Sequence, residues 1–166
     1  MNFDEIKQLL IIKFNEDIVA DDKSIQPFIT VPAEKIAAIC QFLFEDERLY
    51  FDYLACITAI DNGPGLATME LIYNLNSIPY GHSLMLKIIF PRNIADQLLP
   101  SVSTVSHIWR TADWHEREAF DLMGIHFENH PDLRRILLPE DWEGHPLRRD
   151  YSEQEKYHGI TVRYEK

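Results

Sequence analysis

The feature that most constrains this chain is a change of character after Phe127: up to that point the sequence alternates readable helix and strand patterns, and beyond it periodicity is lost. Pro131, Pro139 and Pro146 interrupt every helical run there, since proline lacks the amide proton and clashes with the preceding turn. The same stretch still carries Ile136, Leu137, Leu138, Trp142, Leu147 and Tyr151, and it concentrates Arg134, Arg135, Arg148, Arg149 and Arg163. It is too apolar for an inert linker and too irregular to hide its apolar groups against itself. We therefore expect two parts, an α+β domain over residues 1–128 and an extended tail over 129–166 ordered along another protein.

The charge follows the same division. Residues 1–128 hold 9 basic against 19 acidic side chains, whereas residues 129–166 hold 7 against 8. A net charge of −11 over the whole chain argues against nucleic acid, whose binding requires Lys and Arg to neutralise phosphates. With 46% hydrophobic and 26% charged residues, the composition is that of an ordinary globular domain, and no apolar run reaches the roughly 18 residues of a membrane span. The amino terminus has Asp4 and Glu5 in place of a basic leader, so a bacterial cytoplasmic address is expected, with any membrane reached through a partner.

Within the domain, Ile6, Leu9, Leu10 and Lys13 fall at helical spacing over residues 3–14. An extended segment is expected near 25–31, then a second helix with Pro32 in its first position, where a missing N–H is harmless, ending near Glu45. Three strand candidates follow, Tyr50 to Ile60, Thr68 to Leu75 and Ser83 to Phe90, separated by the turn sequences DNGPG and IPYG. Residues 91–106 read as a loop. A third helix is expected from Ser106 to Met123, stopped by Gly124. The pattern gives a mixed sheet of hairpin strands with helices on one side, followed by a long irregular C-terminal extension.

Candidate chemistry is sparse. Cys40 and Cys56 form no C-x-x-C pair, so this chain alone offers no thiolate set for zinc or an iron–sulfur cluster. His126 and His130 near Glu128 are a weak metal candidate, and His115-Glu116 does not continue into H-E-x-x-H because position 119 is alanine. There is no nucleophile elbow, dinucleotide loop or phosphate loop. The third helix is more informative. Ile108, Trp109, Ala112, Ala119, Phe120 and Met123 share one arc with Glu116 at its centre, while Trp114, Arg117, Glu118 and Asp121 fall opposite. A carboxylate in an apolar arc must be paired, hydrogen-bonded or protonated. A tail arginine or a backbone N–H is the favoured partner, ahead of a proton-handling role.

The stretch EREAFDLMGIHFENHPDLRRIL, from Glu116 to Leu137, resembles the signature of the C subunit, or 30 kDa subunit, of respiratory complex I, a module that related membrane-bound hydrogenases share. Glu116, Arg117, Glu118, Asp121, Leu122, Met123, His130, Arg134, Ile136 and Leu137 stand at the family spacing. LLPEDWEGHPLRRDY, from 137 to 151, resembles the block that follows. Arg149 stands where lysine is common and Ser152 where proline usually follows. The resemblance implies a non-catalytic scaffold in the peripheral arm of a proton-pumping NADH:quinone oxidoreductase, on the cytoplasmic side of a bacterial inner membrane. FMN, iron–sulfur clusters and quinone would belong to the complex and none to this chain. The tail would wrap the D subunit close to the B and I subunits. Partner-interface or structural roles are then expected for Trp114, Glu116, Arg117, Glu118, Asp121, His130, Arg134, Arg135, Trp142, His145, Arg148, Arg149, Asp150 and Tyr151.

Overall fold

The computed structural model describes residues 1–15, 18–94 and 97–162; Arg163, expected in the tail, lies outside them. Helix α1 (Phe3–Phe14) starts where Asn2 accepts the Glu5 amide and the Glu5 carboxylate accepts the Asn2 amide, a reciprocal cap that satisfies two otherwise orphaned donors. Ile6 and Leu10, one turn apart, are its buried residues. Strands β1 (Val19–Asp21) and β2 (Phe28–Thr30) follow. Pro32 keeps an extended conformation just ahead of a 3₁₀ turn over Ala33–Lys35, one turn short of the helical position expected for it. Helix α2 (Ile36–Glu45) then buries Ile36, Ile39, Cys40, Phe42 and Leu43.

The three expected strands form as β3 (Tyr53–Asp61), β4 (Thr68–Ser77) and β5 (His82–Pro91). The sheet order is β1-β2-β5-β4-β3, antiparallel except for β2 beside β5. This is the mixed sheet expected, with β1 as an unforeseen extra edge. Side chains of a strand alternate between faces, and β4 shows it: Met69, Leu71, Tyr73, Leu75 and Ser77 are buried while the residues between them are half-buried. The buried residues of α2 and of the third helix join those of β4 in one apolar core on that inner face. On the other face Lys87 lies over the Phe28 ring and pairs with Glu70 at 2.7 Å.

Two elements fall in stretches that read as loop. Strand β6 (Ser101–Ser103) runs parallel to β7 (His126–Glu128), each too short for a periodic signal. Between them, helix α3 covers Thr111–Met123 and begins five residues later than expected. The delay has a local cause. The Ser106 amide donates to Thr104 Oγ1 at 3.1 Å, and the Ile108 and Trp109 amides both donate to the Val105 carbonyl, at 3.0 and 3.1 Å, which closes a single turn ahead of the helix. Gly124 ends α3 in the left-handed conformation, φ 64°. The chain continues without regular structure to a small hairpin of β8 (Lys156–Tyr157) and β9 (Ile160–Thr161), turned by His158 and Gly159 at positive φ.

Candidate functional site

Glu116 is fully buried. One carboxylate oxygen accepts the Val105 amide at 2.8 Å and the other meets the Thr104 hydroxyl. His130 closes the pocket. Its Nδ1 takes the Asp132 amide at 3.1 Å, which fixes the ring proton on Nε2, and Nε2 points to the Asp113 carbonyl at 3.2 Å and to Glu116 at 3.7 Å. Burial pushes the Glu116 carboxyl up to about 7 against the lowering effect of Thr104 and Val105, with Asp113 adding to the rise. Of the two partners expected, the backbone N–H is present, and no tail arginine bonds to it among the described residues. His130 and His126 do not converge on a metal: the His130 side chain is buried, whereas His126 lies exposed on β7 with Nδ1 3.3 Å from Ser101 Oγ. Among the described residues no three His, Cys, Asp or Glu side chains gather as a metal site.

Asp121, expected on the outward face of α3, is fully buried. The tail covers it. One oxygen accepts the amides of Ile136, Leu137 and Leu138 at 3.0, 2.8 and 2.9 Å, and the other pairs with Arg135 Nη1 at 2.7 Å. Burial raises this carboxyl, but the Leu138 amide, the Arg135 guanidinium and the other two amides outweigh it and hold it below the ordinary carboxylate range. Arg135 donates further to the carbonyls of Trp142 and Gly144, both at 2.9 Å. His145 Nδ1 donates to the Asp121 carbonyl, and Arg148 ties the carbonyls of Met123 and Gly124 at the end of α3. Arg117 reaches the carbonyls of Arg134 and Arg135 while its guanidinium lies 5.8 Å from the Trp114 ring.

A second carboxylate, which sequence reading passed over, anchors the far end. Asp61, at the close of β3, accepts the Gly63 amide at 2.9 Å, Arg92 Nε at 2.8 Å and the Arg149 amide at 3.0 Å. Arg92, with its side chain only 5% exposed, also pairs with Asp150. Burial raises the Asp61 carboxyl, yet Arg92 and the Arg149 and Gly63 amides hold it below its usual value. The DNGPG turn was the available signal, because an aspartate opening a turn commonly binds nearby amides. Trp142 donates to the Tyr151 hydroxyl at 3.1 Å, and the Tyr151 ring crosses Gly144, where a Cβ would approach it to 3.1 Å.

Residues 130–151, expected to lie along another protein, also bond extensively to their own domain. These bonds run from side chains to main-chain amides and carbonyls, a kind of contact that a reading of apolar residues and periodicity leaves out. Of the tail's apolar side chains Leu137 and Leu147 are exposed while Ile136, Leu138, Trp142 and Tyr151 are half-buried; Trp114 and Glu118 of α3 are exposed as well. Arg134 is 73% exposed, and its side chain pairs with Asp132 alone among the described residues.

The fold and these two carboxylate nodes define a small α+β module whose polar residues staple a C-terminal strap to its own third helix and to the end of β3. The chain belongs to the family described as respiratory-chain NADH dehydrogenase, 30 Kd subunit, whose sequence model matches residues 29–157. It is 47% identical over 146 residues to the C subunit of the NADH-quinone oxidoreductase of Chloroherpeton thalassium, covering 87% of this chain and 58% of that protein. With the corresponding C subunit of Chlorobium phaeobacteroides it shares 41% over 155 residues, 92% of this chain and 90% of the other. Among solved structures it is similar to a chain of the membrane-bound sulfane sulfur reductase, an archaeal respiratory membrane complex, with a TM-score of 0.74, 25% identity and coverage of 98% and 95%. A trypsin-resistant fragment of Nqo5 shares the fold, with a TM-score of 0.53 and 23% identity over 80% of this chain and all of that one.

Proposed function

We propose that this chain is a non-catalytic scaffold of the peripheral arm of a proton-pumping NADH:quinone oxidoreductase, holding neighbouring subunits in position while they carry electrons from NADH through FMN and iron–sulfur clusters to quinone. The family match over residues 29–157 carries this reading. Its physical support is that Glu116, Asp121, Asp61, Arg135 and Arg92 are spent on internal bonds, while Trp114, Leu137 and Leu147 face outward. Aromatic and apolar groups of that kind anchor protein contacts. The D subunit is the proposed main partner, with B and I beside it, on the cytoplasmic side of a bacterial inner membrane. FMN, the clusters and quinone are assigned to those neighbours and none to this chain. No described helix is long and apolar enough to cross a membrane.

The tagged chain should co-purify with the NADH-oxidising and quinone-reducing subunits, identified by mass spectrometry. Trp114→Ala and Arg134→Ala should leave the isolated chain folded while lowering the amount of assembled complex. Full assembly with poor turnover in both variants would instead assign the chain a direct part in the reaction. A second reading, the same module in a sulfur-reducing or hydrogenase-type membrane complex, draws on the 0.74 TM-score with the archaeal reductase; co-purified flavin and NADH-binding subunits would exclude it.

A further inference from the structure

The two edges of the main sheet are built differently. β1 is three residues long and ends in Asp21, the short, charged kind of edge that discourages pairing. β3 is nine residues long, YLACITAID, with no lysine, arginine or proline and no charge before Asp61; its register with β4 shifts between Leu54 and Cys56 and runs unbroken from Cys56 to Asp61. Its outer side meets the Thr111 hydroxyl, which donates to the Leu54 carbonyl at 3.1 Å. Beyond that point β3 and α3 bound an open cleft of about 300 Å³ lined by residues 56–59, by His115, Glu118, Ala119, Leu122 and Met123, and by Leu147 of the strap. Four consecutive strand residues can line one cleft only if the backbone edge itself faces it. Ala119 and Met123 give an apolar floor, and the exposed Glu118 stands at the rim with no side-chain partner among the described residues.

We propose that the β3 edge receives an extended segment of a partner subunit as an added strand, with an apolar side chain in the cleft and a Lys or Arg opposite Glu118. The regular stretch of edge from Cys56 to Asp61 supplies main-chain pairing, the cleft selects alternate side chains and the rim carboxylate selects charge. The negative charge of this chain, −11 overall, also favours a basic segment over a second copy of itself. The inference rests on the proposed place of the chain in a multi-subunit assembly, and it names the mode of contact.

Amide exchange over residues 53–61 tests it, measured on the isolated chain and on the affinity-purified complex, with a photo-cross-linking amino acid at Thr58. The expected result is that alternate amides from 56 to 61 slow by about tenfold or more in the complex, and that cross-links map to one extended, Lys- or Arg-bearing segment of another subunit. Glu118→Lys, at an exposed position that leaves the fold intact, should reverse the protection. Unchanged exchange, uniform slowing without alternation, or cross-links to a second copy would each overturn the proposal. Loss of co-purification would count against the assembly itself, whereas co-purification with an unprotected β3 counts against strand addition alone.

Discussion

The inner face of the sheet and the strap over α3 are both ordered, but by opposite means. Under β4, Met69, Leu71, Tyr73 and Leu75 pack into an apolar core, where stability scales with the area removed from water. Over α3, the chain from 130 to 151 leaves Leu137 and Leu147 exposed and is held largely by its backbone, through three amides on Asp121 and carbonyls on Arg135 and Arg117, while its Arg148 side chain binds carbonyls at the end of α3. An apolar core tolerates repacking, because dispersion is non-directional. A carboxylate accepting three consecutive amides permits only one chain path, so the strap can present leucines outward without being fixed by them.

The sharpest way to break this contrast is Asp121→Ala. Removing one partner of a buried, hydrogen-bonded pair costs about 3–5 kcal/mol, and here that loss is local. Amides of Ile136, Leu137 and Leu138 should lose about a hundredfold or more of their exchange protection while β4 amides keep theirs. Leu71→Ala, at a cost of about 2–5 kcal/mol, should do the converse and weaken β4 and its neighbours together. If Asp121→Ala lowered protection equally everywhere, the strap and the core would be one cooperative unit.

Glu116 lies between the two regions, and pH reads it. Its folded value of about 7 lies above the ordinary 4.5, so between those limits the folded chain holds a proton that the unfolded chain has released. Stability should therefore fall as pH rises from about 4.5 to 7, by on the order of 3 kcal/mol. His145 acts in the other direction, since burial lowers its affinity for a proton below the usual 6.5, so the informative quantity is the difference from Glu116→Gln. Asp61 and Asp121, held below 3.8, contribute stability that is present above that value and lost as pH falls through their lowered folded values. The difference between wild type and Glu116→Gln, followed by urea titration at several pH values, should vanish below 4.5 and grow towards 7.

Gly124→Ala tests the seam itself. A Cβ there would come within 2.5 Å of the His145 ring, and the backbone is left-handed at φ 64°. Gly81 has the same φ with open space around it. Left-handed backbone costs a side-chain-bearing residue roughly 1–2 kcal/mol. Gly81→Ala should show only that, and Gly124→Ala about 1 kcal/mol or more beyond it, with the excess appearing as strap release by amide exchange.

Period was legible in the sequence and convergence was not. β4 announced itself by alternation, α1 by its spacing, and Glu116 by being acidic within an apolar arc. Asp121 lies on the other side of α3, so helical projection assigned it to solvent; only the return of residues 136–138 buries it. Asp61, Arg92 and Asp150 are 31 and 58 positions apart along the chain at their two contacts, beyond the reach of any local pattern. β6 and β7 are three residues each and pair in parallel across α3, a contact that no window of sequence spans. The internal bonds of the strap were not legible either, because hydrogen bonds to main-chain atoms carry no hydropathy.

The smallest expected effect concerns Arg149, where the contrast between holding and presenting comes down to one side chain. Its amide is held by Asp61 at 3.0 Å, and its aliphatic stem passes Gly63, whose added Cβ would stand 3.1 Å from Arg149 Cδ. The guanidinium itself has no hydrogen-bond or ion-pair partner among the described residues. Arg149→Lys keeps the amide and the stem, so the isolated chain should change by no more than about 0.5 kcal/mol in chemical denaturation. A lysine cannot reproduce a planar, bidentate contact with a carboxylate. If the strap exists to present its outer groups to a neighbour, the same variant should assemble less well at unchanged stability. Equal assembly would leave Arg149 a solvated cation whose only structural contribution is its backbone.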